Sequence, residues 1–142
     1  MREFVYPAKF TPDKKDGGFV VTFRDIPEAI TQGETVEECL EAAAGALQAA
    51  LEGRIMSGLD ILAASKPKRG EHLIAVPVQT ALKTALYLAM QDLGITRVEL
   101  ARRLRIDEKE ARRMLDPHHP TKADRLEKAL AALGKHAELR VA

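Results

Sequence analysis

One stretch, Thr96–Asp116, constrains the fold of this 142-residue chain more than any other, because it carries the apolar pattern of two short helices. Apolar residues recur at helical spacing in each half of the stretch, and Ile106 interrupts the phase between the halves. The change of phase predicts two helices that meet at an angle, with small Ala101 where they approach each other. The residues that define the two apolar faces are Leu100 and Leu104, then Ala111, Met114 and Leu115.

Both helices have a start signal. Thr96 with Glu99, and Asp107 with Glu110, match the capping box, in which each side chain bonds the backbone N–H of the other residue. The two boxes and the spacing predict a helix-turn-helix, whose second helix enters the major groove of DNA. The turn position that favours glycine holds Arg105, and a positive φ there would cost about 1 kcal/mol or more.

The polar side of this stretch is rich in arginine and lysine. Long donors suit base edges, and arginine can bond two acceptors of guanine at once. The alternative is a plain helical hairpin with a solvated basic face. The predicted DNA-binding residues are Lys109, Arg112 and Arg113 on bases, Thr96 and Arg97 on phosphate, and Lys122 beyond the stretch.

Charge differs between the two parts of the chain although the net charge is only +1. Residues 1–77 hold 9 Lys and Arg against 12 Asp and Glu, a net charge of −3. Residues 78–142 hold 13 against 9, a net charge of +4. An acidic domain at 1–77 and a basic domain at 78–142 suggest two different partners.

The expected compartment is the cytoplasm. A single cysteine, Cys39, excludes a disulfide framework and favours a reducing environment. No apolar run approaches the ~20 residues of a membrane helix. The first ten residues have proline and charge where a signal peptide has its apolar core, so no signal peptide is predicted.

Residues 1–77 predict a small α+β layer of four strands and one helix. Thr35 and Glu38 form a capping box at the start of the helix, whose outer face is acidic and either solvated or bound to a partner. The predicted strands are Phe4–Phe10, Gly18–Arg24, Ala29–Gly33 and His72–Val78, the predicted helix is Thr35–Arg54, and residues 55–70 are predicted to be a loop.

Residues 78–142 are predicted to be all-helical. A helix over Val78–Leu93 precedes the helix-turn-helix, and Thr121 with Asp124 is predicted to cap a last helix that ends at Leu133. The final residues, 138–142, are a tail or a short strand. Four helices around one core suit the phage-repressor type of DNA-binding domain, which pairs to read two half-sites and so predicts a homodimer or higher homo-oligomer.

No catalytic, metal or cofactor site is predicted. A metal-dependent nuclease site needs clustered carboxylates on its strands, and the first two predicted strands contain no acid in their interiors. The cysteine and the four histidines lack zinc-ligand spacing, and no nucleophile-elbow, Walker or dinucleotide-binding motif occurs. His118 and His119 are expected to cap a helix or to touch phosphate.

The motifs together resemble HicB-type antitoxins. That family has an early strand with a buried aromatic residue, a proline-containing turn and a Thr-Xaa-Gly lead-in to a long helix. This chain departs from the pattern at Arg24, where the family prefers proline, and at Glu34, where aspartate is usual. The matching segments are YPA at 6–8, GGFVVTFRDIP at 17–27, TQGETVEECLEAA at 31–43 and, as in the family's longer members, DPHHPTKADRLEKALAALGK at 116–135.

This resemblance implies a type II toxin–antitoxin module. The family's first domain is a partial ribonuclease H-like fold without ribonuclease activity. It binds a HicA-type toxin, a small basic ribonuclease that cuts messenger RNA, and masks the catalytic histidine of the toxin. The helix-turn-helix domain represses the shared operon by binding operator DNA. The acidic charge of residues 1–77 fits a basic partner.

Toxin contact is expected at the strand ends beside the helix, at Tyr6, Phe23, Asp25 and Ile26; the alternative is that Tyr6 and Phe23 belong to the core. A second hypothesis is a helix-turn-helix transcription regulator whose N-terminal domain senses a ligand or only oligomerises. A neighbouring gene for a small basic protein would favour the antitoxin. A catalytic interpretation would require nuclease activity that is lost when Asp25 is removed.

Overall fold

The computed structural model describes residues 1–142, which divide into two compact units, Met1–Pro77 and Val78–Ala142. The chain is α+β, as the sequence predicts, with one four-stranded antiparallel sheet and five helices. None of these helices has the length and apolar character needed to cross a membrane.

The first unit is a sheet with one long helix packed on it. Strand β1 is its centre, because residues 5–8 pair with β4 and residues 9–12 pair with β2. The strand order is β3-β2-β1-β4. The elements are β1 (Val5–Pro12), β2 (Phe19–Thr22), β3 (Ile30–Gly33), α1 (Val36–Met56) and β4 (His72–Ala75).

The core of the first unit lies between α1 and one face of the sheet. Ala43 and Leu47 of α1 have no exposed surface, and neither do Tyr6 and Ala8 of β1. The close approach of β3 to α1 explains the glycine that ends the strand, because a Cβ on Gly33 would lie 2.9 Å from the thiol sulfur of Cys39. The apolar spacing along α1 therefore predicted the buried positions Ala43, Leu47 and Leu51 correctly. Val36 and Leu40, in the first turns of the same predicted stripe, are exposed.

The ends of the first unit's elements differ slightly from the sequence prediction. Strand β2 stops at Thr22 rather than Arg24, because the chain already turns at Phe23, whose carbonyl accepts from the Ile26 N–H at 3.3 Å. At the start of α1, the hydroxyl of Thr35 accepts from the Glu38 N–H at 3.1 Å. The carboxylate of Glu38 accepts from the Glu34 N–H at 2.8 Å, one residue earlier than a capping box requires.

The connecting segment, residues 57–71, has no helix or strand, as predicted, yet side chains from elsewhere in the unit hold it at several points. Its carbonyls accept from Arg2, Tyr6, Arg24 and Arg54 at 2.6–3.1 Å. These bonds satisfy backbone groups that no ladder or helix would otherwise pair. The segment is therefore an ordered part of the first unit.

The second unit consists of four helices around one apolar core. The core is built from Leu86 and Leu100, which are fully buried, together with Met114 and Leu126 from the two later helices. The elements are α2 (Val78–Leu93), α3 (Arg97–Leu104), α4 (Glu108–Leu115) and α5 (Ala123–Ala132).

The predicted cap of α5 is wrong. Lys122 rather than Thr121 occupies the cap position, and its side chain makes no capping bond. Thr121 is held elsewhere, because its N–H donates to the side-chain oxygen of Gln79 at 2.7 Å and its carbonyl accepts from the amide nitrogen of Gln79 at 2.9 Å. Residues 135–142 form no strand, which leaves the tail as the correct alternative.

Candidate functional sites

The turn between α3 and α4 uses a left-handed residue, at the position where glycine would be favoured. Arg105 has φ 55° and ψ 45° and is the only residue other than glycine with positive φ. The Ile106 N–H donates to the Ala101 carbonyl at 3.1 Å, which closes the end of α3. After this bend α4 contacts α3.

Only half of each predicted capping box forms at α3 and α4. The Thr96 hydroxyl accepts from the Glu99 N–H at 3.2 Å, and the Asp107 carboxylate accepts from the Glu110 N–H at 2.7 Å. The return bonds are absent because each glutamate pairs with arginine instead. Glu99 accepts from Arg102 and Arg103, and Glu110 accepts from Arg125.

Helix α4 presents one basic face. Ala111 and Met114 point into the core with 0% and 4% of their surface exposed. Lys109, Arg112 and Arg113 lie on the opposite side, are exposed, and make no ion pair. Their spacing of three and four residues places them on one face of the helix, so the predicted base-contacting residues do come together on one surface.

The cations of α3 are mostly neutralised by neighbouring carboxylates. Bonds from Arg102 and then Arg103 lower the pKa of Glu99 to about 2. Arg97, a predicted phosphate contact, is 2.9 Å from Glu108. Charge that is free to meet an anion is therefore concentrated on α4 rather than on α3.

An open groove of roughly 420 Å³ runs between α4 and the start of α5. Lys109 and Arg113 line it from α4, and the predicted DNA contact Lys122 lines it from the other side. No pattern in the sequence indicates this groove, because it forms only where the folded chain places the start of α5 opposite α4. The remaining lining residues are Asp107, Glu110, Met114, His119, Pro120, Thr121 and Arg125.

Lys83 of α2 is a buried cation that the sequence prediction missed. Only 2% of its surface is exposed. Its ammonium donates to the carbonyls of Arg113 at 3.1 Å and Asp116 at 2.6 Å, and also to the carbonyl of His119. Burial lowers the pKa of Lys83, and the nearby charge of Asp116 opposes that shift in part. The only feature of the sequence that could have indicated its burial is its place between core positions of α2.

Three of the four predicted toxin contacts are core residues. Tyr6, Phe23 and Ile26 have at most 1% of their surface exposed, so their side chains offer no area to a partner. The Tyr6 hydroxyl donates to the Leu62 carbonyl at 2.9 Å, and burial raises its pKa. The core alternative for Tyr6 and Phe23 is the correct one, because the sheet end is closed by the connecting segment.

Asp25, the fourth predicted toxin contact, is partly exposed and holds the connecting segment. Its carboxylate accepts from the backbone N–H of Ser65 at 2.9 Å and from the Ser65 hydroxyl. On α1, Glu37 and Glu41 are exposed and make no ion pair, so the acidic face of the helix is open. Nowhere do three or more His, Cys, Asp or Glu side chains form a group that could hold a metal ion.

A family model and individual relatives of this chain all belong to the same class of protein, the HicB antitoxins. The family model for HicB-like antitoxins of bacterial toxin–antitoxin systems matches residues 5–85. Antitoxin HicB of Escherichia coli K12 is 42% identical over 134 residues, which are 94% of this chain and 96% of that protein. Antitoxin HicB 1 of Photorhabdus laumondii is 36% identical over 136 residues, which are 96% of this chain and 86% of that protein.

These similarities, over nearly the full length of both proteins, are to antitoxins of bacterial toxin–antitoxin systems. The chain belongs to the HicB-like antitoxin family. The resemblance seen in its short motifs is thereby confirmed.

Proposed function

We propose that this antitoxin neutralises a HicA-type messenger-RNA-cleaving toxin through residues 1–77 and represses its own operon through residues 78–142. The second unit acts as a helix-turn-helix domain on operator DNA, and the protein works as a homo-oligomer in the cytoplasm without catalytic activity of its own. The observation that carries the DNA-binding part is the unpaired basic face of α4.

The geometry of α3 and α4 supports DNA recognition. The bend at Arg105 leaves α4 exposed along one side, which an inserted recognition helix requires. Lys109, Arg112 and Arg113 need to break no ion pair before they meet base edges or phosphates. Thr96 keeps its hydroxyl proton for a phosphate, since the oxygen acts as an acceptor for Glu99.

The charge of the first unit supports toxin binding. Residues 1–77 carry a net charge of −3, and the outer face of α1 is acidic. A basic ribonuclease approaches such a surface faster and in a favoured orientation. We assign the toxin contact to the α1 face with Glu37 and Glu41, together with the exposed part of Asp25, because the other predicted contacts are buried.

The deciding experiment separates the two activities in one variant. Replacement of Arg112 and Arg113 by alanine removes two cations that hold no structural partner, at a cost of ~1–3 kcal/mol per lost base contact. We expect gel-shift assays with the chain's own promoter to show no specific band, while cells that co-express the toxin still grow.

The matched control is alanine at Arg102 and Arg103, which removes the same charge from α3. This variant should keep most of the promoter binding, because both arginines are engaged by Glu99. Equal loss of binding in the two variants would contradict a recognition role for α4. Loss of toxin neutralisation by the α4 variant would contradict the division of labour.

A further inference from the structure

Two side chains of α2 form hydrogen bonds with the end of α4 and the segment that follows it. Lys83 and Gln79 lie four residues apart, so they share one face of α2. Together their side chains donate four hydrogen bonds and accept one, all with backbone groups between Arg113 and Thr121. We name this pair of side chains the α2 clamp.

The clamp acts on the C-terminal end of α4, which carries two of the three predicted recognition residues, Arg112 and Arg113. The last carbonyls of a helix have no partner within the helix and carry partial negative charge. The ammonium of Lys83 supplies donors to that end and a positive charge beside it. One of the three carbonyls belongs to Arg113 itself, so the clamp fixes the backbone of a proposed base-contacting residue.

We propose that Lys83 and Gln79 are positioning residues for DNA recognition, which set the orientation of α4 and of the Asp116–Thr121 segment against the rest of the second unit. The inference rests on the proposed operator binding. Neither side chain touches DNA, because Lys83 is buried and every donor of the clamp points to backbone carbonyls.

The structure also shows why the clamp can be removed without unfolding the unit. The Arg113 carbonyl keeps a bond from the Asp116 N–H at 3.3 Å, and the Asp116 carbonyl keeps one from the His119 N–H at 3.1 Å. The His119 carbonyl keeps a long bond from the Thr121 hydroxyl at 3.4 Å. Lys83→Met therefore leaves no carbonyl wholly unpaired and preserves side-chain volume.

The test compares the affinity of the full-length chain for two duplexes of equal length, its own promoter and a shuffled version. For Lys83→Met we expect the promoter affinity to fall about tenfold or more, the effect of losing one good base contact. The affinity for the shuffled duplex should stay within about twofold, because phosphate contacts carry non-specific binding and tolerate a tilted helix. Hydrogen exchange should accelerate at the backbone amides of Asp116, His118, His119 and Thr121.

The matched control is Lys128→Met, which removes an exposed lysine from α5 that makes no ion pair. It should leave the ratio of the two affinities unchanged. A folded Lys83→Met variant with the wild-type ratio would overturn the inference. So would a parallel fall in both affinities, since that is what a smaller folded fraction alone produces.

If circular dichroism shows that Lys83→Met unfolds the second unit, Gln79→Ala is the variant that tests the inference. The measurements are again the affinity for the promoter, the affinity for the shuffled duplex and hydrogen exchange. Its control is Gln91→Ala, on the same helix, where the side chain bonds only Tyr87. If the wild-type chain shows no preference for its own promoter, the proposed operator binding fails and this inference falls with it. A wild-type preference that survives in every clamp variant overturns the inference alone.

Discussion

At the scale of single residues, Arg105 adopts a left-handed backbone conformation that normally favours glycine, because the bend between two helices requires it. An L-residue in the left-handed conformation costs roughly 1–2 kcal/mol, and glycine avoids that cost. The bend between α3 and α4 needs this conformation whichever residue occupies it. The side chain is exposed and makes no ion pair, so the structure gives no packing reason for arginine there.

Arg105→Gly should raise the free energy of unfolding by about 0.5–1 kcal/mol, because relief of the left-handed strain exceeds the added entropy of the unfolded chain. Urea denaturation of the full chain measures the change. Arg112→Gly is the control with opposite sign: it places glycine inside α4 and should lower the free energy of unfolding by about 1 kcal/mol. A loss of stability in both variants would show that Arg105 makes a contribution beyond its backbone.

The contribution of the Glu71 charge to stability can be measured from the pH dependence of unfolding. A hydrogen bond from Arg24, with a further one from the Lys68 N–H, lowers its pKa from 4.5 to about 2. A carboxylate with a lowered pKa stabilises the fold above the unfolded-state pKa, and the benefit disappears as pH falls toward the folded-state value.

We therefore expect wild type to be more stable than Glu71→Gln near neutral pH, and the two melting temperatures to converge as pH falls from about 4.5 to about 2. Thermal unfolding over that range measures the difference. A constant offset between the two proteins at every pH would mean that packing, rather than the charge of Glu71, stabilises the native state.

At the scale of elements, the helices and strands with regular apolar spacing could be predicted from the sequence. The side-chain bonds within and between these elements could not. The apolar spacing of α1 and α2 is visible in the sequence, and so is the β-branched character of the strands. The capping boxes failed in their second half because Glu99 and Glu110 found arginine partners, one of them on another helix. The groove beside α4 depends on where the start of α5 lies relative to α4, which the apolar spacing within either helix does not indicate.

The same limit explains why the burial of Tyr6 and Phe23 stayed open at the level of sequence. Tyr6 and Phe23 lie at strand ends, where exposure is a reasonable expectation from sequence alone. The connecting segment covers that end of the sheet, held by bonds that join residues about 40 to 60 positions apart. Nothing local to Tyr6 indicates that the carbonyl of Leu62 will accept from its hydroxyl.

The anchoring of the connecting segment predicts its resistance to proteolysis. Arg24 donates to the carbonyl of Lys66 at 2.6 Å and pairs with Glu71 at 2.9 Å, so it spans the two sites, Lys68 and Arg69, where trypsin can cut. Arg24→Ala should accelerate cleavage there several-fold, because local opening no longer breaks these bonds. Mass spectrometry of timed digests identifies the cut, with Lys9→Ala as the control for loss of an exposed strand cation. Unchanged digestion would show that other anchors suffice.

At the scale of the whole molecule, the chain joins two units with different surfaces. The first is a sheet-and-helix layer with net negative charge, and the second is a helical unit with net positive charge and an unpaired basic face on α4. Each has its own buried core, which is the condition for independent folding. In the proposed function each unit binds its own partner, so we expect either activity to survive the loss of the other.

Residues 1–77 alone should therefore fold and protect cells from the toxin, while failing to shift promoter DNA. The same fragment with Glu37→Lys and Glu41→Lys should still fold, since both side chains are exposed and unpaired and a lysine in the first turn of α1 costs only ~0.3–1 kcal/mol. It should lose protection because like charges now face each other. Growth under toxin induction and co-purification with the toxin measure the two outcomes. Protection by the charge-reversed fragment would move the toxin contact away from α1. Death of cells that express the folded wild-type fragment would mean that the helical unit takes part in neutralisation, and the two activities would then share a surface.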